Sequence, residues 1–254
     1  MKDRLFKMLP FEGKGAILLG YRGSISHGTY VPNKIDDKDI LGIIIPPQEY
    51  MYGLKHYELT EKFVEEIDLV VYEIRKYIHL LAQNNPNVMS LLWLKEGHYI
   101  HRTELGQRLI DNRDLFISKR AYKTYGGYAV SQFRKMTAFQ FNGYMGEKRK
   151  ELVEQFGYDT KNAAHLIRLL KMGIEILTTG EVNVFREDSQ LYMAIKAGEW
   201  TLKAVKEEAE RLFKLLDEAF VRSKIKDSPD LEVIDKLCVS IVRDYYKGEI
   251  DGKV

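Results

Sequence analysis

The apolar positions of the chain fall into two regimes. In the first hundred residues they come as short runs. Residues 15–21 (GAILLGY) have the length of a buried strand, and residues 39–45 (DILGIII) form a second, stopped by Pro46 and Pro47. Residues 66–72 (EIDLVVY) alternate and then run apolar, which predicts a third strand. Ile74, Tyr77, Ile78 and Leu81 then recur at helical spacing, predicting a helix over 73–83. Asn84-Asn85-Pro86 ends it, because proline has no N–H to donate and biases its predecessor away from the helical region. Residues 88–94 predict a second, fully apolar helix.

From about residue 104 the period is helical throughout. Thr103 is the expected cap of a helix ending near Ile110, and a long helix is expected from about Ser118 to Tyr144, weakened by Gly126, Gly127 and Gly143. The most regular segment starts at Asp159 or Thr160 and runs to Thr179. Ala164, Ile167, Leu170, Ile174 and Leu177 make its stripe, and Gly180 its stop. A short extended link over 182–185, a helix capped by Asp188 or Ser189 to about Ala197, another over 201–221 and a last over 231–246 complete the pattern. The expectation is an α/β (α+β) fold: a small mixed-sheet module over residues 1–102, then a helical half over 103–254 that packs on it and completes a cleft.

Composition changes this picture little. At 254 residues, 45% hydrophobic and 30% charged, the chain is of ordinary globular make-up. No run approaches the eighteen or so apolar residues of a membrane span, and the N-terminus lacks a secretion-signal core. One cysteine, Cys238, excludes an internal disulfide, and no Cys/His metal spacing exists; a cytoplasmic location is expected. The net charge of +2 is uninformative, but its distribution is not. Between Lys119 and Lys150 eight basic residues face one acidic residue, Glu147, with seven aromatics interleaved. Such a segment could track phosphates and stack bases, or it could bury its aromatics and wet its lysines. Within it Arg134 and Lys135 are the first candidates for reaching a triphosphate or an acceptor.

Three elements of the first module carry candidate chemistry. Arg22-Gly23-Ser24 follows the first strand. A Gly-Ser turn there offers close approach, backbone N–H groups and a hydroxyl to an anion. Asp37 and Asp39 lie two apart at the mouth of the second strand, so both carboxylates project from one face. Two such carboxylates repel unless a cation sits between them, and Mg²⁺ prefers these hard oxygens together with substrate phosphates. Asp68 stands alone in an apolar strand, where a carboxylate must be exposed or neutralised. If its strand lies beside that of Asp39, it completes a three-carboxylate cluster, the usual holder of two metals about 3.5–4 Å apart.

Gly23-Ser24, Asp37-x-Asp39 and a single Asp68 flanked by apolar residues together resemble the DNA polymerase beta nucleotidyltransferase superfamily. The wider context is more specific. Asp68 to Lys76, Asn85-Pro86-Asn87, the phrase KNAAHLIRLL over 161–170 and Thr179-Gly180-Glu181-Val182 resemble the nucleotidyltransferases that include the RNA-ligase-associated RlaP type, over roughly residues 15–245. That resemblance implies Asp37 and Asp39 as a metal pair and Asp68 as third ligand or proton acceptor. It further implies Gly23 and Ser24 as holders of the β- and γ-phosphates, and two Mg²⁺ (or Mn²⁺) ions. The implied reaction is in-line attack on the α-phosphorus of a nucleoside triphosphate, with pyrophosphate leaving. Arg22, His165 and Arg168 are candidate nucleotide contacts; His165 and Arg168, three apart, share a helical face. Lys38, between the paired aspartates, departs from the family's apolar residue, and Asp36 stands where many relatives carry serine. The acceptor, an RNA or other nucleic-acid end, a protein or a small molecule, is left open. The rival expectation is a non-catalytic nucleotide- or partner-binding protein that keeps the fold.

Overall fold

A computed structural model describes residues 2–30, 38–137 and 147–250, and divides them into two compact units. Residues up to 116, together with 229–250, form the first; residues 117–228 form the second. The sequence pattern drew its boundary at 102/103. Residues 104–111 instead press against the first strand, where a Cβ added to Gly106 would fall 2.2 Å from the Ile17 carbonyl oxygen.

The first unit is built on a five-stranded sheet. In chain order it contains α1 (Lys2–Met8), β1 (Ala16–Tyr21), α2 (Gly23–His27), β2 (Lys38–Ile44), α3 (Gln48–Met51), β3 (Leu59–Val64), β4 (Ile67–Glu73), α4 (Ile74–Ala82), α5 (Pro86–Met89), β5 (Tyr99–Arg102) and α6 (Glu104–Asp111). The sheet order is β3-β4-β2-β1-β5. Only the β2–β4 pair is parallel, so the sheet is mixed, as the pattern predicted. Alternation sorts the strand residues onto two faces. On one, Leu19, Ile40, Ile44, Ile67, Leu69 and Val71 pack with Leu5, Met8 and Leu9 of the N-terminal segment. On the other, Leu18, Leu41, Ile43 and Val70 are buried beneath helices, including α4 and α6. Glu73 caps α4 by accepting from the N–H groups of Arg75 and Lys76, and Thr103 caps α6 through the N–H of Gly106.

The second unit is helical: α7 (Arg120–Thr137), α8 (Glu147–Phe156), α9 (Thr160–Thr179), α10 (Ser189–Lys196) and α11 (Leu202–Arg222). α9 is its axis, with α7, α10 and α11 packed around it. Asp159 caps it by accepting from the N–H of Asn162, and Gly180 ends it at φ +74°. Gly173 lets the helices close in: a Cβ there would meet Leu216 and Tyr125 at 3.0 Å. The last helix, α12 (Leu231–Ile250), belongs to the first unit. No described helix is long and apolar enough to cross a membrane.

Candidate active site

The parallel register of β2 and β4 sets Asp39 directly beside Asp68, so both carboxylates leave the same face of the sheet. Two residues further along, that face is core, with Leu41 and Val70 abreast. The aspartates stand where the buried face of the sheet gives way to a half-exposed end.

The turn after β1 reaches the same end. The Arg22 N–H donates to the Asp39 carbonyl at 2.9 Å, extending the β1–β2 pairing by one step. Gly23 then takes φ +62°, and a Cβ on it would lie 2.1 Å from Oδ2 of Asp39. Only glycine permits that contact between turn and carboxylate. Ser24 lies in the first turn of α2; its Oγ is buried and has no hydrogen-bond partner among the described residues. Ser26 donates to the Gly23 carbonyl at 2.9 Å and holds the turn. A buried hydroxyl without a partner carries a desolvation cost that a bound oxyanion would relieve.

Arg22 adds a cation. Its Nη2 lies 3.1 Å from Oδ2 of Asp68, and its Nε is buried without a partner. Lys38, between the two strand-end aspartates in sequence, points to the other face and pairs with Glu66 at 2.6 Å. Its pKa is held above the ordinary lysine value, chiefly by that hydrogen bond. It therefore leaves Asp39 undisturbed. His27 is buried at the end of α2.

Asp37 lies outside the described residues. Among those described, no group of three or more His, Cys, Asp or Glu side chains is placed to hold a metal ion. The pair Asp39–Asp68 is nevertheless a set of hard oxygen donors beside an unpartnered hydroxyl and a turn stripped of its Cβ. A divalent cation with a phosphate ligand fits that donor set.

The remaining candidates belong to the second unit. Arg134 and Lys135 are exposed in the last turn of α7, and His165 is half-buried on α9. Arg168, also on α9, is set among Tyr125, Tyr192 and Arg186. Burial there brings its pKa down to about 10. Beside it Arg186 makes two bonds to Glu175, at 2.5 and 2.6 Å, and one to Asp188 at 3.0 Å; Lys171 also pairs with Asp188. This ion network was not foreseen from the sequence, because its bonds join residues 2 to 17 positions apart, between α9 and the segment before α10, that share no motif.

A mixed sheet that brings paired aspartates against a Gly-Ser turn defines a protein of the nucleotidyltransferase class. The chain belongs to the RNA repair pathway DNA polymerase beta family, RlaP, whose model matches residues 11–240. None of the curated proteins matches it. Among solved structures it is similar to a nucleotidyltransferase-like protein from Exiguobacterium sibiricum 255-15, at 13% identity and a TM-score of 0.30, over 82% of this chain and 69% of that one. So distant a likeness adds nothing to the family assignment.

Proposed function

We propose that the protein is a divalent-cation-dependent nucleotidyltransferase that moves a nucleoside monophosphate from a nucleoside triphosphate to an acceptor hydroxyl. The observation that carries this reading is the contact of the Asp39 carboxylate with Gly23, while Asp68 stands abreast of Asp39. Asp39 and Asp68, joined by Asp37 on the family resemblance, would hold Mg²⁺ or Mn²⁺. Such an ion, when bound, supplies charge neutralisation for the triphosphate and the departing pyrophosphate. Gly23 and the Ser24 hydroxyl receive the β- and γ-phosphates. The acceptor oxygen forms its bond to the α-phosphorus as the bond to pyrophosphate breaks, and Asp68 takes the hydroxyl proton. The family's description, an RNA repair pathway, favours an RNA end as acceptor and accords with a cytoplasmic location. Arg134, Lys135, His165 and Arg168 are the cations assigned to nucleotide or RNA phosphates.

The test is incubation with each labelled triphosphate, Mg²⁺ or Mn²⁺ and a pool of RNA, protein and metabolites, asking which fraction gains label. Asp39→Asn is expected to reduce transfer at least a hundredfold while changing the melting temperature little. A wild type that binds no triphosphate with either ion, together with an Asp39→Asn variant that unfolds, would assign the carboxylates to structure and end the proposal.

A further inference from the structure

Within the first unit Arg22 places a cation on the carboxylate pair, through Asp68. Its guanidinium is divided: Nη2 binds Asp68 at 3.1 Å, while the buried Nε binds nothing. Nor is the pair sealed in, since the Asp68 side chain keeps 38% of its exposure and that of Arg22 keeps 23%. An ion pair this open is weakly held and readily exchanged. The half-satisfied guanidinium sits one residue before the Gly23-Ser24 turn, within a side chain's reach of any phosphate held there.

We propose that Arg22 is an exchangeable counter-cation. It occupies Asp68 until a divalent ion arrives with a triphosphate, and it then moves its guanidinium from the carboxylate to the phosphates. This rests on the assignment of metal and triphosphate to the Asp39–Asp68 site. The physical argument is competition for one carboxylate. A fixed positive charge a few ångströms from a divalent ion opposes its entry, and lessens the negative charge that would attract it. A triphosphate reverses the balance, because its oxygens accept the guanidinium in the bidentate manner that suits arginine. The consequence is order. Metal alone binds poorly, and metal with triphosphate binds well, because the nucleotide removes the competitor.

The sign of the effect separates this from a merely structural or phosphate-binding arginine. Removing the charge is expected to tighten metal binding while weakening nucleotide binding. Free Mn²⁺, read by its paramagnetic resonance signal, is titrated against wild-type protein, Arg22→Gln and Arg22→Lys without nucleotide. Arg22→Gln is expected to bind Mn²⁺ about tenfold more tightly than wild type, and Arg22→Lys about equally. In the presence of a non-hydrolysable triphosphate, Arg22→Gln is expected to bind nucleotide about tenfold more weakly. Unchanged or weaker Mn²⁺ binding by Arg22→Gln overturns the proposal. If that variant does not fold, the wild type carries the test through the Nε–H resonance of Arg22, assigned by its loss in Arg22→Lys. That resonance must shift when Mg²⁺ and triphosphate are added together, and a stationary signal at saturation overturns the exchange. A wild type that takes up neither Mn²⁺ nor triphosphate is a different failure, that of the catalytic assignment itself.

Discussion

At the scale of single residues, the site depends on a missing atom. Gly23 is the hinge of the candidate phosphate turn, with φ +62° and no room for a Cβ beside Asp39. Gly23→Ala meets two penalties at once, a left-handed backbone and a 2.1 Å overlap with a carboxylate oxygen. The backbone strain alone is about 1–3 kcal/mol. The variant is expected to melt several degrees lower and to bind triphosphate at least tenfold more weakly; calorimetry and fluorescence with a labelled nucleotide check both. A variant with wild-type binding would detach the turn from the nucleotide. The residue types here were legible in the sequence, because the chemistry restricts them: hard oxygens for a cation, a bare turn for phosphate. The ion pair between Arg22 and Asp68 was not. Its members are 46 positions apart, and no period or motif links them until β1 and β4 are placed in one sheet. Arg168 shows the opposite limit. Spacing gave its helical face, while its neighbours Tyr125, Tyr192 and Arg186 come from three other segments.

At the scale of elements, strands with buried faces were readable and wet ones were not. β1, β2 and β4 are apolar runs, and each appears within a residue or two of its expected bounds. β3 reads LTEKFV, is exposed at nearly every position and lies at the edge of the sheet, so it has no burial pattern to betray it. β5 is four residues long and equally unmarked. The apolar run at 88–94 was expected as one helix; it is the end of α5 followed by a tighter 3₁₀ turn over Ser90–Trp93. Residues 138–144 of the expected long helix lie outside the described residues. The second unit offers its own test, at the clamp joining α9 to the start of α10. Burial works against ionisation of Asp188, but hydrogen bonds from Arg186 and Lys171 outweigh it and hold its pKa at about 2. A depressed carboxylate contributes stability above its unfolded pKa of about 3.9, and that contribution is lost as pH falls from about 4 through about 2. The side chain is 30% exposed, so the contribution is at most about 2 kcal/mol. Asp188→Asn is expected to lower stability at neutral pH and to flatten its slope between pH 4 and 2, measured by urea unfolding at each pH. An unchanged slope would remove the clamp from the acid response.

At the scale of the whole molecule, the chain leaves its first unit at residue 116 and returns to it at 229. The sequence marked α12 as an amphipathic helix but could not say which unit receives it, since periodicity supplies a face and never a partner. The structure supplies the partners. Tyr246 donates to the Pro46 carbonyl at 2.6 Å in a buried setting, Asp244 pairs with Arg108 at 2.7 Å, and Ile234, Cys238, Ile241 and Val242 are buried. Cys238 makes this docking measurable, because it is the single cysteine of the chain. Burial raises its thiol pKa to about 11, which leaves little of the reactive thiolate at neutral pH and shields what there is. Labelling by a disulfide reagent therefore requires α12 to lift from the first unit. Tyr246→Phe deletes one buried hydrogen bond and leaves the Pro46 carbonyl without its donor, a loss of about 1–2 kcal/mol. If α12 opens locally, that loss raises the labelling rate by roughly five- to thirtyfold while the melting temperature falls only slightly. If it opens only with the whole unit, rate and melting temperature change together. Native labelling as fast as in denaturant would show that α12 is not docked at all. The first outcome is expected, because α12 reaches its unit across a separately compact segment of more than a hundred residues.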